Sequence, residues 1–432
     1  MFVADCLGIN EQGHLTLDGV DTIELARMFG TPLYAMSETG IRQNCRRFRA
    51  ALERFYQGNG KILYASKAFC CKEMCRVIEQ EGLGLDVVSS GELKTALSAG
   101  FPAKNIYFHG NNKQHAEIKL ALESGVGCIV ADHLSEIAEI EKIASEINAR
   151  AGVMLRIKPG IDAHTHAFIK TGQIDSKFGF SLENGEAMQA VETALSCKSI
   201  DLYGLHCHIG SQIFETEPFQ LAAEVMIRFL AQIRDKTGRE LHSLNLGGGF
   251  GIRYLPEDGA LPVEKFVETV SETVHAACRQ HRLDVPFILM EPGRSIVGSE
   301  GITLYTVGRI KEIPGVRKYV AVDGGMGDNP RFALYEADYT ALIANRAEQP
   351  ADQTVTLAGK YCESGDLLQK DCRLQQAHSG DVLAVLSTGA YNYSMASNYN
   401  RVARPPVIFV RNGQARTVVL RESDEDLMRL DV

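Results

Sequence analysis

No stretch of this sequence approaches the run of about 18 apolar residues that a membrane-spanning helix needs. The segment from Met1 to His14 carries Asp5 and Glu11 and no basic segment leading into an apolar one. No export signal is therefore expected, and the chain is placed in the cytoplasm. Basic runs and aromatic–basic stripes are also missing, and the net charge is −9 with a pI near 5.8. That balance argues against nucleic acid as a partner. The eleven cysteines are odd in number and scattered, with Cys70 and Cys71 adjacent, so they form neither a disulfide framework nor paired metal-ligand spacing. Most read as reduced, buried small hydrophobes, and no metal is expected. A small-molecule ligand fits this chain best.

What is present describes a globular protein. The chain has 432 residues, 45% hydrophobic and 23% charged, with a mean hydropathy of −0.09. That length predicts a large domain plus a smaller one. Residues 1 to about 35 read as short extended pieces, after which Ser37 is placed as the N-cap of a helix carrying Ile41, Cys45, Phe48, Leu52 and Phe55 on one face. A repeating unit then begins: Ile62–Ala65, Leu85–Val88, Ile106–Phe108, Cys128–Ala131, Val153–Ile157, Leu202–His206, Ser243–Leu246 and Phe287–Met290 are short apolar strands separated by amphipathic helices. Strands buried on both faces and alternating with helices predict a parallel (β/α)8 TIM-like barrel, although no clear helix follows the last one. Beyond Gly301 the rhythm changes to strand-like runs between turns, which predicts a mainly antiparallel C-terminal β-domain that also takes in the N-terminal strand. The expected division is 1–36 as a segment joining the β-domain, 37–296 as the barrel and 297–432 as the β-domain.

A barrel carries its chemistry at the C-terminal ends of its strands, and the polar motifs fall there. Lys67 follows the first strand, where an amine either escapes to solvent or has a task. Asp86 ends the second, as a helix cap or a partner for that amine. His109 follows the third. His206 to Gln212 follows the sixth, and His208 could stack on a planar ligand, move protons or simply fill the core. Gly247–Gly251 follows the seventh, serving as an anion nest of backbone N–H groups or as a plain tight turn. Glu291, Gly293 and Arg294 end the eighth. Glu291 is costly there unless a cation faces it, whether a protonated ring nitrogen or a neighbouring basic side chain, and Arg294 offers a fork for a phosphate or carboxylate. In the second half Cys362, beside Glu363 and Asp366, is a candidate proton donor. Arg331, Tyr335 and Tyr391 lie in loop-like segments that serve either as surface packing or as ligand contacts. The loop His164–Phe178 contains Gly172 and has no apolar period; it is a lid or a disordered stretch.

Six ordered motifs, YASKA at 64–68, HCHIGSQ at 206–212, GGGFG at 247–251, EPGR at 291–294, CESGD at 362–366 and GAYNYSMASNYN at 389–400, together resemble the pyridoxal-phosphate-dependent decarboxylases that share the fold of alanine racemase. The resemblance runs from about Pro32 to Arg404. It implies pyridoxal 5'-phosphate as cofactor, with Lys67 bonded to its aldehyde, His208 stacked on its ring and Glu291 facing the ring nitrogen. Ser211, Gly247, Gly248, Gly249 and Tyr391 match phosphate-side positions, and Asp86 and Gly293 are counted with the cofactor contacts. Arg294 could serve either the phosphate or a substrate carboxylate. Arg331, Tyr335 and Glu363, with Tyr391, would hold the far end of the substrate, and Cys362 would reprotonate the product carbon from the second subunit of a homodimer. A Glu for a distal ammonium and an Arg with a Tyr for a distal carboxylate match meso-2,6-diaminopimelate in charge and number. Ornithine, arginine or a carboxy-polyamine is the alternative substrate. A cofactor-binding barrel without catalysis would need neither Cys362 nor the long β-domain.

Overall fold

Eight short strands, each parallel to the next, close on themselves. They are Gly60–Ala65, Gly84–Val87, Ile106–Phe108, Cys128–Ala131, Ala151–Lys158, Ile200–His206, Ser243–Asn245 and Phe287–Met290, and the last pairs back onto the first through Leu289↔Lys61. The expected barrel is present, with every strand where the apolar runs place it. In this computed structural model, residues 2–161 and 176–432 are described; positions 164–175 of the expected lid lie outside the described residues. Among the described residues no helix is long and apolar enough to cross a membrane.

The chain divides into two units, Asn44–Gly251 with Ala260–Ser295, and Met1–Gln43 with Ile252–Gly259 and Ile296–Val432. In the first, the barrel interior is filled by Leu63, Cys128, Val130, Met154 and Leu289. These short apolar strands have no polar face because the interior and the helices each bury one side. The helices follow the apolar spacing: Lys72–Gln80 buries Met74, Cys75, Val77 and Ile78, and its N-terminus is capped by the Cys71 sulfur accepting the Met74 N–H. The helices Glu217–Thr237 and Val263–His281 share an aromatic cluster in which Phe219 stacks on Phe250 at 5.1 Å and meets Phe266 edge-on. After the eighth strand comes only the one-turn helix Arg294–Val297.

One buried charge in this unit is a structural lock. Lys113 Nζ lies 2.7 Å from the Glu136 carboxylate and donates to the carbonyls of Gly110 and Val130. Replacing Lys113 by methionine keeps the stem but strands a buried carboxylate, so we expect a loss of about 3–5 kcal/mol. The check is the urea midpoint, which falls at unchanged slope.

The second unit is built on a sheet in the order Leu367–Leu374, Gln353–Ala358, Arg317–Val322, Gly301–Ile313, Leu33–Ser37, Val407–Arg411, Gln414–Val419, with Ala341–Ile343 and Val382–Val385 joined to it alongside Gly301–Ile313. Most pairs are antiparallel, whereas Arg317–Val322 with Gln353–Ala358 and Leu33–Ser37 with Val407–Arg411 are parallel. The N-terminal strand thus lies inside the sheet, as expected. Ser37 accepts the Gly40 N–H at 2.8 Å and caps the helix Glu38–Tyr56, also as expected. Two features depart from the sequence reading. The N-terminal stretch holds a helix, Thr22–Phe29, capped by the Asp21 carboxylate accepting from Ile23 N and docked through Leu25. The strands Ala341–Ile343 and Leu367–Leu374 were not expected: the first has three residues, and the second, LLQKDCRL, breaks its apolar alternation with Gln369, Lys370 and Asp371.

Candidate active site

The C-terminal ends of the barrel strands converge on Glu291. This residue is buried where the last strand ends. Its Oε1 accepts from Asn245 Nδ2 at 2.6 Å, and its Oε2 is 3.1 Å from His206 Nε2. His109 Nε2 is 2.9 Å from Oε1 and 3.7 Å from Asp86 Oδ1. Burial alone would raise the Glu291 carboxyl, but His109 and His206 outweigh it and hold the group well below the usual carboxylate range. Glu291 is therefore a carboxylate in the core of a protein, a state that persists only with donors aimed at it.

Around it the charges diverge. Burial, reinforced by Glu291, raises Asp86, while His109 and Lys67 oppose the shift. Burial also pushes Glu92 up to about 7, against the Val88 N–H that its carboxylate accepts at 2.8 Å. Burial drives His206 down to about 4, so it is neutral at pH 7. His208 is pushed well down by burial and then by the charges of Lys67 and Arg156. Its Nδ1 accepts the Gly248 N–H at 3.2 Å, which leaves Nε2 to carry the proton of a neutral ring. Carboxyls displaced in opposite directions thus lie beside two imidazoles that are both held down.

Lys67 sits in the single turn Ser66–Ala68 just past the first strand and is exposed there, with Asp86, Glu92 and His208 in its field. Gly293 packs against Ala65 and Ala68 on either side of it. The glycines after the seventh strand have a definite task. A Cβ on Gly248 would collide with the Glu291 carbonyl, and Gly247 adopts a φ of 68° against the Cys207 carbonyl. Only glycine lets the loops after the sixth, seventh and eighth strands meet so closely. Beside them Arg294 donates to Ser211 Oγ at 3.1 Å, pairing a fixed cationic fork with a hydroxyl.

The barrel thus brings together Lys67, Asp86, His208, Ser211, Gly247, Gly248, Gly249, Glu291, Gly293 and Arg294. The remaining candidates lie in the other unit. Arg331 opens the short helix Arg331–Tyr335 and is buried, its guanidinium 5.5 Å from the centre of the Tyr254 ring and 5.3 Å from that of Tyr335. Cys362 and Glu363 are exposed on the loop after Gln353–Ala358, where the Cys362 N–H donates to Asn400 Oδ1 and Tyr399 OH donates to the Glu363 carboxylate. Asp366 accepts the Met326 and Tyr361 N–H groups and pins that loop. Tyr391 adopts a left-handed φ of 62°, a strained conformation for a bulky residue.

Asn245 and Arg156 were missed by the sequence reading, and His109 and His206 appeared there with no role of their own. Arg156, on the fifth strand, interacts with Asp132, Glu291 and Asp86. Asn245 could have been found by the logic applied to Lys67: it is a polar residue ending an otherwise apolar buried strand, and such a group must be satisfied.

Comparison with known proteins now fixes the class. Residues 38–298 match the pyridoxal-dependent decarboxylase family in its pyridoxal binding domain. The protein is thus a pyridoxal-phosphate-dependent decarboxylase built on a parallel barrel. A diaminopimelate decarboxylase from Bacillus subtilis is 51% identical over 434 residues, covering 100% of this chain and 98% of its own. One from Staphylococcus aureus is 48% identical over 97% and 98% respectively. The crystal structure of the M. jannaschii diaminopimelate decarboxylase in co-complex with L-lysine superposes with a TM-score of 0.93 at 35% identity, covering 100% of this chain and 99% of that one. The chain belongs to the diaminopimelate decarboxylase family.

The residues present fit the cofactor. Among the described residues Asp86 Oδ1 and Ser66 Oγ, close to Lys67 in sequence or space, are buried without a hydrogen-bond partner, Glu291 is an ionised carboxylate, and Arg294 with Ser211 offers donors to an anion beside Gly249, the N–H groups of Gly247 and Gly248 being held by Asn245 Oδ1 and His208 Nδ1.

Proposed function

We propose that this protein decarboxylates meso-2,6-diaminopimelate to L-lysine and carbon dioxide with pyridoxal phosphate, closing lysine biosynthesis in the cytoplasm as a homodimer with shared active sites. The observation that carries the reading is the ionised, buried Glu291 at the same strand ends as Lys67: a carboxylate held that way favours a protonated ring nitrogen, which decarboxylation needs. When bound, the cofactor supplies the electron sink for the bond to the departing carboxylate.

The chain's residues do the rest. Lys67 anchors the cofactor through its amine, and its charge bears on the carboxyls of Asp86 and Glu92. His208, neutral and hydrogen-bonded to Gly248 N, offers the flat face of its ring. Ser211, Arg294 and Gly249 take the phosphate, Gly247 and Gly248 give it room without a side chain while their N–H groups hold Asn245 and His208, and Tyr391 completes that side. Arg331 and Tyr335 take the distal carboxylate and Glu363 the distal ammonium, so that charge and number match one substrate end. The Cys362 thiol, from the second copy, gives its proton to the carbon that has lost carbon dioxide and recovers it from solvent. The homologues named for this activity over the whole chain length support the same substrate.

The test offers meso-diaminopimelate, ornithine, arginine and lysine side by side to the purified holoenzyme and measures carbon dioxide. We expect release from diaminopimelate alone, with lysine as the product. Release from ornithine or arginine instead would overturn the roles given to Arg331 and Tyr335.

A further inference from the structure

Three side chains far apart in sequence meet at one carboxylate. Asn245 ends the seventh strand and is fully buried; its Oδ1 accepts the Gly247 N–H at 2.9 Å, so its amide can face only one way, with Nδ2 donating to Glu291 Oε1. His206 ends the sixth strand and is likewise buried. Because Glu291 is ionised it can only accept, so His206 must donate through Nε2–H, and its bare Nδ1 is then an acceptor, in keeping with that atom being buried without a partner among the described residues. His109 faces the same oxygen as Asn245 and also Asp86, and its ring lies edge-on to His206 at 4.8 Å. The Glu291 backbone N–H is held by the Gly247 carbonyl at 2.8 Å.

A carboxylate has about four acceptor positions. Two are taken by hydrogen bonds from Asn245 and His206, one on each oxygen, and His109 crowds the remaining side of Oε1. Among the described residues, the position left open is on Oε2. We propose that Asn245 and His206 are positioning residues: they orient the Glu291 carboxylate so that Oε2 presents one open acceptor to the cofactor's ring N–H, with His109 closing off the other oxygen. This inference rests on the reading that Glu291 faces the ring nitrogen. It adds that the carboxylate has to be aimed, and that two neutral donors from neighbouring strands aim it. A free carboxylate rotates, whereas one clamped on both oxygens costs no reorganisation when its partner arrives.

The test uses holoenzyme loaded with cofactor labelled with ¹⁵N in the ring, and reads two quantities besides turnover: the ring-nitrogen chemical shift and the cofactor Kd. His206→Leu and Asn245→Leu each remove a donor and should move the ring-nitrogen signal toward the unprotonated position. Each should also raise the cofactor Kd about 10- to 100-fold, in the range found when residues that orient a ligand group are lost. His206→Gln keeps an N–H donor and should retain the wild-type signal, which separates loss of the donor from a damaged fold. Asn245→Asp sets a second carboxylate against Glu291 and should give the largest Kd of the set. Wild-type shift and affinity in both leucine variants would overturn the proposal. Glu291→Gln tells the two readings apart: if it displaces the ring-nitrogen signal while the leucine variants do not, Glu291 keeps its role and the clamp is rejected. If Glu291→Gln leaves the signal in place, the assignment of Glu291 to the ring nitrogen fails, and the clamp with it.

Discussion

Replacing Cys362 by alanine should lower kcat about 10²- to 10⁴-fold, the contribution of a positioned general acid, while leaving the cofactor absorbance and the thermal midpoint unchanged. The thiol is exposed on its loop, and among the described residues only its backbone N–H is tied, to Asn400. Removing the sulfur therefore opens no cavity and leaves no buried group unpaired, so a loss of rate cannot be charged to a loss of fold. Loss of carbon dioxide leaves a carbon that must gain one proton, and lysine formed in heavy water should carry one deuterium there. If Cys362 delivers that proton, product formation slows in the alanine variant and KM changes little. Turnover equal to wild type would remove Cys362 from its role. If each active site draws its thiol from the other subunit, mixing Cys362→Ala with an inactive Lys67→Ala should restore activity in the mixed dimers, where one of the two sites has both residues.

The second large effect concerns Arg331. Changing it to lysine should lower kcat/KM for diaminopimelate about 10- to 150-fold, which corresponds to losing a charge-assisted hydrogen bond of 1.5–3 kcal/mol. The guanidinium is buried within 5.5 Å of the centre of the Tyr254 ring and 5.3 Å of that of Tyr335, and lysine would keep the charge without the planar pair of donors. Because the distal carboxylate stays intact throughout the reaction, the loss should appear mainly in KM. A substrate analogue lacking that carboxylate should lose far less, and an equal loss for both would show that Arg331 acts on the fold of its helix instead.

The barrel was legible because each strand is a short apolar run with a polar motif at its end, and that pattern is local: Ile62 to Lys67 says strand, then turn, then amine without reference to anything else. What escaped was local structure too weak to read. The strand Ala341–Ile343 is too short to show alternation, Leu367–Leu374 hides its pattern behind polar residues, and Thr22–Phe29 is a brief helix whose cap, Asp21, looks like any turn residue. In the site, the candidates that stood out were those whose type is improbable at a strand end, such as Lys67, Glu291 and the glycines. The partners of Glu291 did not stand out, because their meaning lies in contacts across 46 residues to Asn245 and 85 to His206.

By itself the amino-acid order determined the class of fold, the family and which polar candidates fall at strand ends, since periodicity, strand ends and ordered motifs are all carried by near neighbours. The protonation states were decided only by tertiary structure. Whether Glu291 is ionised, Asp86 raised or His206 neutral depends on how far each is buried and on which charges face it from other strands. The same kind of side chain serves as an acceptor at Glu291 and is biased toward its protonated form at Asp86 because His109 and His206 outweigh burial at Glu291, whereas burial prevails at Asp86.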